Sequence, residues 1–326
     1  MNARRWLTIG LAAVAVLAVF AIGVLVGREI ARPAAVTASY SQPLYDLGPY
    51  TEVEPDLLDW RVLVEVPVAL SKPAGIASAA DGAIYVCGDR SLLELDRTGA
   101  VLERWDLDGE PTCVAAGPDG TMYVGLPDHV EIVRPGTAGA TVWPDLGSQA
   151  IVTSIAVVGS NVLVADAGNR MVMRFTAGGR LAGTIGSDYA VPSPYFDVAG
   201  GPDGTLWVTD PGHRRVRHYS IEGKLLGSWG TSSLDIGGFG GCCNPVHIAV
   251  CPCGSLITAE KGLPRVKVYE ADGTLAAVVA GPSDFASGET GLDLATGKAN
   301  GGEVLVLVPS KRVVRVYVKK EADVGG

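Results

Sequence analysis

Residues 196–223 read FDVAGGPDGTLWVTDPGHRRVRHYSIEG. The stretch opens on a short apolar strand and turns at Asp203-Gly204. A second apolar strand, Leu206-Trp207-Val208, leads through a polar bend into a third strand and a second turn at Glu222-Gly223. Asp-Gly between two apolar runs is a strong hairpin signal, because Gly accepts positive φ without a Cβ clash. The same grammar returns in AGIASAADGAIYVCGDRSLLELDRTG from Ala74 and in TCVAAGPDGTMYVGLPDHVEIVRPG from Thr112. It returns again in TSIAVVGSNVLVADAGNRMVMRFTAGG from Thr153, VHIAVCPCGSLITAEKGLPRVKVYEADG from Val246 and GLDLATGKANGGEVLVLVPSKRVVRVYVKK from Gly291. The copies start about 38 to 50 residues apart, the period of propeller blades. Each second turn leads to a fourth strand, and four antiparallel strands make one blade. The expected fold is all-β: a six-bladed β-propeller over residues 57–321, with a short tail at 322–326. The strand Trp60 to Val66 precedes the first copy and has no partner of its own. We place it as the outer strand of the last blade, where it closes the ring and removes the edges of an open array.

Within the copies, Val164-Ala165-Asp166-Ala167-Gly168-Asn169-Arg170 carries an acidic residue after the second strand, then Asn and Arg before the third. Val208-Thr209-Asp210-Pro211-Gly212-His213-Arg214 matches with His for Asn, and copy five keeps Arg265 but has Glu260 and Leu263 at the other two positions. Copies two and six barely match. This pattern resembles the NHL-repeat family of propellers, and the resemblance covers roughly residues 57 to 320. It speaks for fold rather than activity, since propellers host unrelated functions. It implies that the first strand of every blade lines a central channel, whose mouth is where such proteins bind ligands.

Aligning the copies on their turns, with a one-residue deletion in copy three, puts Gly75, Cys113, Ser154, Asp197, His247 and Asp293 at one position. By the resemblance these form a ring at the channel mouth. Asp197, His247 and Asp293 have the chemistry to hold a divalent metal; imidazole with carboxylate suits zinc, manganese or iron, and carboxylates alone suit calcium. The set resembles that of metal-dependent enzymes of the peptidylglycine-amidating lyase kind, although only one His, His247, occupies the ring here. The alternative is that these side chains hydrogen-bond to backbone and channel water, as buried polar groups must.

Four of the six cysteines, Cys242, Cys243, Cys251 and Cys253, fall close together around the strand Val246 to Val250. An extended strand rises about 3.3 Å per residue, so Cys243 and Cys251 can lie roughly 26 Å apart, and one metal cannot bridge that gap. Three readings stay open for Cys242-Cys243: a vicinal disulfide, soft-metal ligation with His247, and plain packing of small apolar thiols. Cys87 and Cys113 sit on strands of successive blades and could be close, with pairing not deducible from sequence.

From Trp6 to Val26 no charged residue occurs. That run is long enough to span a bilayer as a helix and longer than a usual signal-peptide core. We expect residues 1–30 to form a membrane anchor and residues 31–56 a linker. Arg4 and Arg5 before the span lean it toward an extracytoplasmic propeller, periplasmic or extracellular. The formal charge of −9 argues against a nucleic-acid partner and suits a monomeric surface. His213-Arg214-Arg215-Val216-Arg217-His218 alternates along a strand, so its charges are expected to face solvent. No nucleophile elbow, zinc-protease, P-loop or dinucleotide motif occurs in the right context. The leading expectation is a membrane-tethered recognition module for a protein, peptide or saccharide. The alternatives are a metal-dependent lyase or hydrolase, with Cys113 or Ser154 near the metal, and a redox accessory protein using Cys242 and Cys243.

Overall fold

The computed structural model describes residues 47–79, 81–137, 139–297 and 302–320. The expected membrane anchor at 1–30, most of the linker and the tail at 322–326 lie outside the described residues. Among those described, no helix is long and apolar enough to cross a membrane.

The described chain forms six four-stranded antiparallel sheets. Strand β1 (Trp60–Pro67) comes first. Blade one follows with β2 (Pro73–Ser78), β3 (Ile84–Gly88), β4 (Ser91–Leu95) and β5 (Val101–Asp106). Blade two holds β6 (Cys113–Ala116), β7 (Met122–Gly125), β8 (Val130–Val133) and β9 (Thr141–Val142). Blade three holds β10 (Val152–Val158), β11 (Asn161–Asp166), β12 (Met171–Thr176) and β13 (Leu181–Ile185). Blade four holds β14 (Val198–Gly200), β15 (Leu206–Asp210), β16 (Arg215–Tyr219) and β17 (Leu225–Trp229). Blade five holds β18 (His247–Val250), β19 (Leu256–Glu260), β20 (Arg265–Tyr269) and β21 (Leu275–Ala280). Blade six holds β22 (Asp293–Gly297), β23 (Glu303–Val308) and β24 (Val313–Lys319), and β1 completes it by pairing antiparallel with β24, Val66 opposite Val314. The inner strands β2, β6, β10, β14, β18 and β22 neighbour one another in that order, and β22 meets β2 to close the circle.

The turns follow the chemistry of their residues. Asp81, Asp119 and Asp203 each accept the backbone N–H two residues on, at 2.9–3.1 Å, while Gly82, Gly120 and Gly204 take the left-handed φ that completes the turn. Between the turns the second strand of each blade is buried on both faces, because each blade is packed between two others, while outer strands such as β5, β13 and β17 are largely exposed. In β23, Val304, Val306 and Val308 pack against blade five, while Leu305 and Leu307 pack against blade one. The apolar core is accordingly divided into six clusters, one at each junction between consecutive blades. Fully burying one such side chain contributes about 1.5–3 kcal/mol, so every junction holds several of these increments.

Two-sided burial also corrects the reading of the basic stretch in β16. Arg217 is buried and, with Arg215, pairs with the buried carboxylate of Asp210 instead of facing solvent. Residues 47–58 lie against blades five and six, with Val53 packed over Gly281.

Candidate functional site at the channel mouth

The six inner strands surround a channel cavity of about 200 Å³. Its lining includes Cys113, Asp197, His247 and Asp293, each at the start of its blade's first strand, and Ser154, the third residue of β10. Gly75 holds the sixth position without a side chain, because a Cβ there would meet Cys113 Cα at 2.8 Å and Cys87 Sγ at 3.1 Å. Two residues further along each strand sits Ala77, Ala115, Ala156, Ala199, Ala249 or Ala295, all lining the same cavity. This row of alanines is legible in the repeats as a shared small residue, and it marks where the inner strands crowd closest to the axis.

An inner strand has an unpaired edge, so its amides need partners. Asp197 Oδ2 accepts the Ile248 N–H of the next blade at 2.7 Å, and Oδ1 accepts the Val198 N–H at 2.8 Å. Asp293 repeats this across the ring's closure, with Ile76 N–H on Oδ2 and Leu294 N–H on Oδ1, both at 2.8 Å. Ser154 clips Val198 in the same sense, its Oγ lying 3.3 Å from both the backbone N and O. Each of these side chains reaches from one blade to the backbone of the following one.

His247 sits between the two carboxylates, Nδ1 at 3.3 Å from Asp197 Oδ2 and 3.2 Å from Asp293 Oδ1. Burial by itself would discharge the imidazole, but Asp293 and Asp197 outweigh it and lift its pKa to about 8. Burial also raises the Asp293 carboxyl. The three side chains offer ligand atoms within 4.8 Å of one another, and they are the group of this kind found among the described residues. A proton on His247 Nδ1 occupies the place a small cation would take, so the donor set fits a divalent ion on loss of that proton. Burial pushes the Cys113 thiol up to about 12.

The mouth is lopsided. The loops entering the first strands of blades one to three are short, residues 68–72, 107–112 and 143–151. Those entering blades four to six are longer, residues 186–197, 230–246 and 281–292, and each delivers one member of the Asp197, His247, Asp293 set. Each long loop is held by a cation at the third position of its blade's third strand. Arg217 donates to the Ser187 and Asp188 carbonyls at 2.8 and 2.9 Å. Lys267 donates to Ile236 O and Gly238 O at 2.9 and 2.7 Å, and Arg315 donates to Asp284 O at 2.6 Å. The equivalent residues of blades one to three, Leu93, Ile132 and Met173, are apolar. These anchors escaped the sequence reading, although the swap from apolar to basic at one repeat position was there to see.

The acidic residue of the NHL-like motif has the same task. Asp166 accepts the Ile151 N–H, Asp210 the Ala190 N–H and Glu260 the Gly240 N–H, each from the loop entering its own blade. Burial opposes the charge on Asp210, yet the Ala190 amide with Arg215, His213 and Arg217 holds its carboxyl below the usual range. His213, alone in sequence, is thus a partner of Asp210.

No disulfide joins any of the six cysteines, so the vicinal bridge that the sequence left open for Cys242-Cys243 is not formed. Cys242 and Cys243 precede the extended strand β18, and Cys251 and Cys253 follow it. The four are not gathered at one point, and no cysteine joins the His247 group. Cys242 Sγ and Cys243 Sγ lie 3.1 Å apart in the 230–246 loop. Cys87 and Cys113 are both buried and approach each other across Gly75.

No family model matches the chain, and no curated protein matches it. Solved structures do. A streptogramin B lyase superposes with a TM-score of 0.58 at 14% identity, covering 82% of this chain and 100% of that one. Regucalcin from Agrobacterium tumefaciens strain C58, described as a calcium-binding protein, superposes with a TM-score of 0.59 at 15% identity, covering 80% and 96%. Virginiamycin B lyase from Staphylococcus aureus gives 0.53 at 11% identity, covering 81% and 90%. At these identities the likeness is one of fold: the chain shares the β-propeller architecture of these proteins.

Proposed function

We propose that this chain is an NHL-like propeller, tethered to a membrane by its N-terminal apolar segment, that binds a protein, peptide or saccharide at the extracytoplasmic channel mouth. The observation that carries the reading is the lopsided mouth. Three long loops, each pinned by a buried cation, rise on the side that holds Asp197, His247 and Asp293, while the loops on the other side are short. Loops fixed this firmly around a polar concavity are the usual form of a ligand site on a rigid scaffold. Tyr195 stands on this wall, its ring edge-on to His247 with centroids 6.1 Å apart, and offers an aromatic contact.

The test is to screen the full chain in detergent against peptide and glycan arrays. A retained ligand should lose about tenfold in affinity on Tyr195→Ala, a modest value for an aromatic anchor. It should be indifferent to Leu226→Ser on the exposed outer strand of blade four. Failure to bind either class, or binding that ignores Tyr195→Ala, defeats the reading.

The Asp197, His247, Asp293 group favours a second reading, in which the mouth holds a divalent cation and acts as a lyase or hydrolase. Neighbours of the same fold include lyases and a calcium-binding protein. Dialysis of the full chain against calcium, manganese or zinc, followed by metal analysis, separates the two readings. One bound ion per chain, lost in Asp293→Asn, supports the second; no bound ion removes it.

A further inference from the structure

The 230–246 loop carries more chemistry than a binding wall needs. Cys242 is exposed and Cys243 is buried, with their sulfurs 3.1 Å apart. The Ser193 hydroxyl, from the loop entering blade four, lies 3.3 Å from Cys243 Sγ. Lys261 Nζ, from the bend between β19 and β20, donates to that hydroxyl at 3.1 Å and sits 4.1 Å from the centroid of the Tyr195 ring. Buried Asn244 fixes the arrangement from below. It accepts the Lys261 N–H at 2.9 Å and donates to Lys261 O at 3.1 Å and to Gly240 O at 2.7 Å.

An ammonium beside two sulfurs disfavours a second cation there and favours a thiolate, so the cluster is built for sulfur chemistry rather than metal binding. The charged and titratable groups facing Cys243 are Lys261 from blade five and Cys242 on its own loop. Burial opposes ionisation of Cys243, but Ser193, Cys242 and Lys261 together bring its pKa below the ordinary value, while the same contact raises that of Cys242.

We propose that Cys242 and Cys243 form a reversible dithiol–disulfide couple at the channel mouth, whose oxidant is a low-molecular-weight disulfide. In the first step Cys242 gives its proton to solvent, and its thiolate attacks one sulfur of the incoming disulfide. The S–S bond of the reagent breaks, a thiolate leaves, and a mixed disulfide remains on Cys242. In the second step Cys243 loses its proton to solvent beside Lys261, attacks Cys242 Sγ, closes the eight-membered ring and expels the second thiolate, and the two released protons convert the two thiolates to thiols. The pair loses two electrons and the reagent gains them. Adjacent residues hold their Cα atoms closer than the roughly 4.4–6.8 Å of a relaxed disulfide, so the ring is strained and readily reduced.

The test treats the full chain with 2-hydroxyethyl disulfide and counts thiols by titration and intact mass. Two of the six should disappear with loss of two hydrogens and no retained adduct, and peptide mapping should join Cys242 to Cys243. Cys243→Ser should stop at a mixed disulfide on Cys242. Lys261→Met should slow the reaction about tenfold at neutral pH and move its pH profile upward, the effect of about one pKa unit on thiolate fraction. A slower reaction with an unmoved pH profile would point to mere packing and overturn the proposal, as would a count that stays at six or a loss mapping to Cys251 and Cys253. Ser193→Ala, a smaller change than Lys261→Met, should shift the profile in the same direction and keeps the test valid if the lysine variant misfolds.

Discussion

At the scale of single residues, His247 ties charge to stability. Its carboxylate neighbours raise its folded pKa to about 8, above the ordinary value of 6.5. A raised imidazole contributes stability that is complete below the unfolded pKa and fades as pH rises through the folded one. The window therefore runs from about pH 6.5 to 8, and the contribution is on the order of 2 kcal/mol. Urea unfolding of the wild type at pH 6 and pH 9, beside His247→Asn, checks this. The variant should be the less stable at pH 6, and the gap should close by pH 9. Asp197 and Asp293 would not lose their role with the proton, since each also accepts two backbone amides.

At the scale of elements, the long loops are stable because buried cations replace the backbone partners that loops lack. Lys267 is the extreme case. It is fully buried, with Glu260 Oε1 at 2.7 Å and two loop carbonyls taking its remaining protons. Burial pushes its pKa down to about 8, against the pull of Glu260. Breaking a buried pair by removing one partner costs about 3–5 kcal/mol. Lys267→Met should cost less than that, because Arg265 still pairs with Glu260 at 2.9 Å, and should raise hydrogen exchange of the amides in 234–241. Arg217→Met should do the same for 187–190 and leave 234–241 protected. If both variants loosened both loops equally, the assignment of Lys267 and Arg217 to different loops would fail.

At the scale of the whole molecule, the ring depends on β1. This strand comes from the beginning of the domain and completes the last blade, with Val66 wholly buried against Val314. Opening it would expose the edge of β24 and the junction between blades six and one together. Val66→Asp, a buried unpaired charge, should cost more than about 3 kcal/mol. Light scattering should then report self-association through the freed edge, which a neutral cavity mutant such as Val66→Ala should not show.

The blade count, the four-strand unit and the place of Trp60 to Val66 were all legible in the sequence, because the repeat obeys local rules: Asp-Gly turns and short apolar runs recur at one period. The shared position of Cys113, Ser154, Asp197, His247 and Asp293 was legible for the same reason. Which of them act together was decided only by the tertiary structure. Closing the ring brings Asp293 of blade six to the Ile76 amide of blade one, 217 residues away in the chain, and the packing of blades four, five and six sets His247 between two carboxylates. The fate of charges was likewise a matter of packing. Arg217 alternates like a solvent-facing residue, but a blade has neighbours on both faces, and a strand's period of two records its own pleat rather than what is stacked against it.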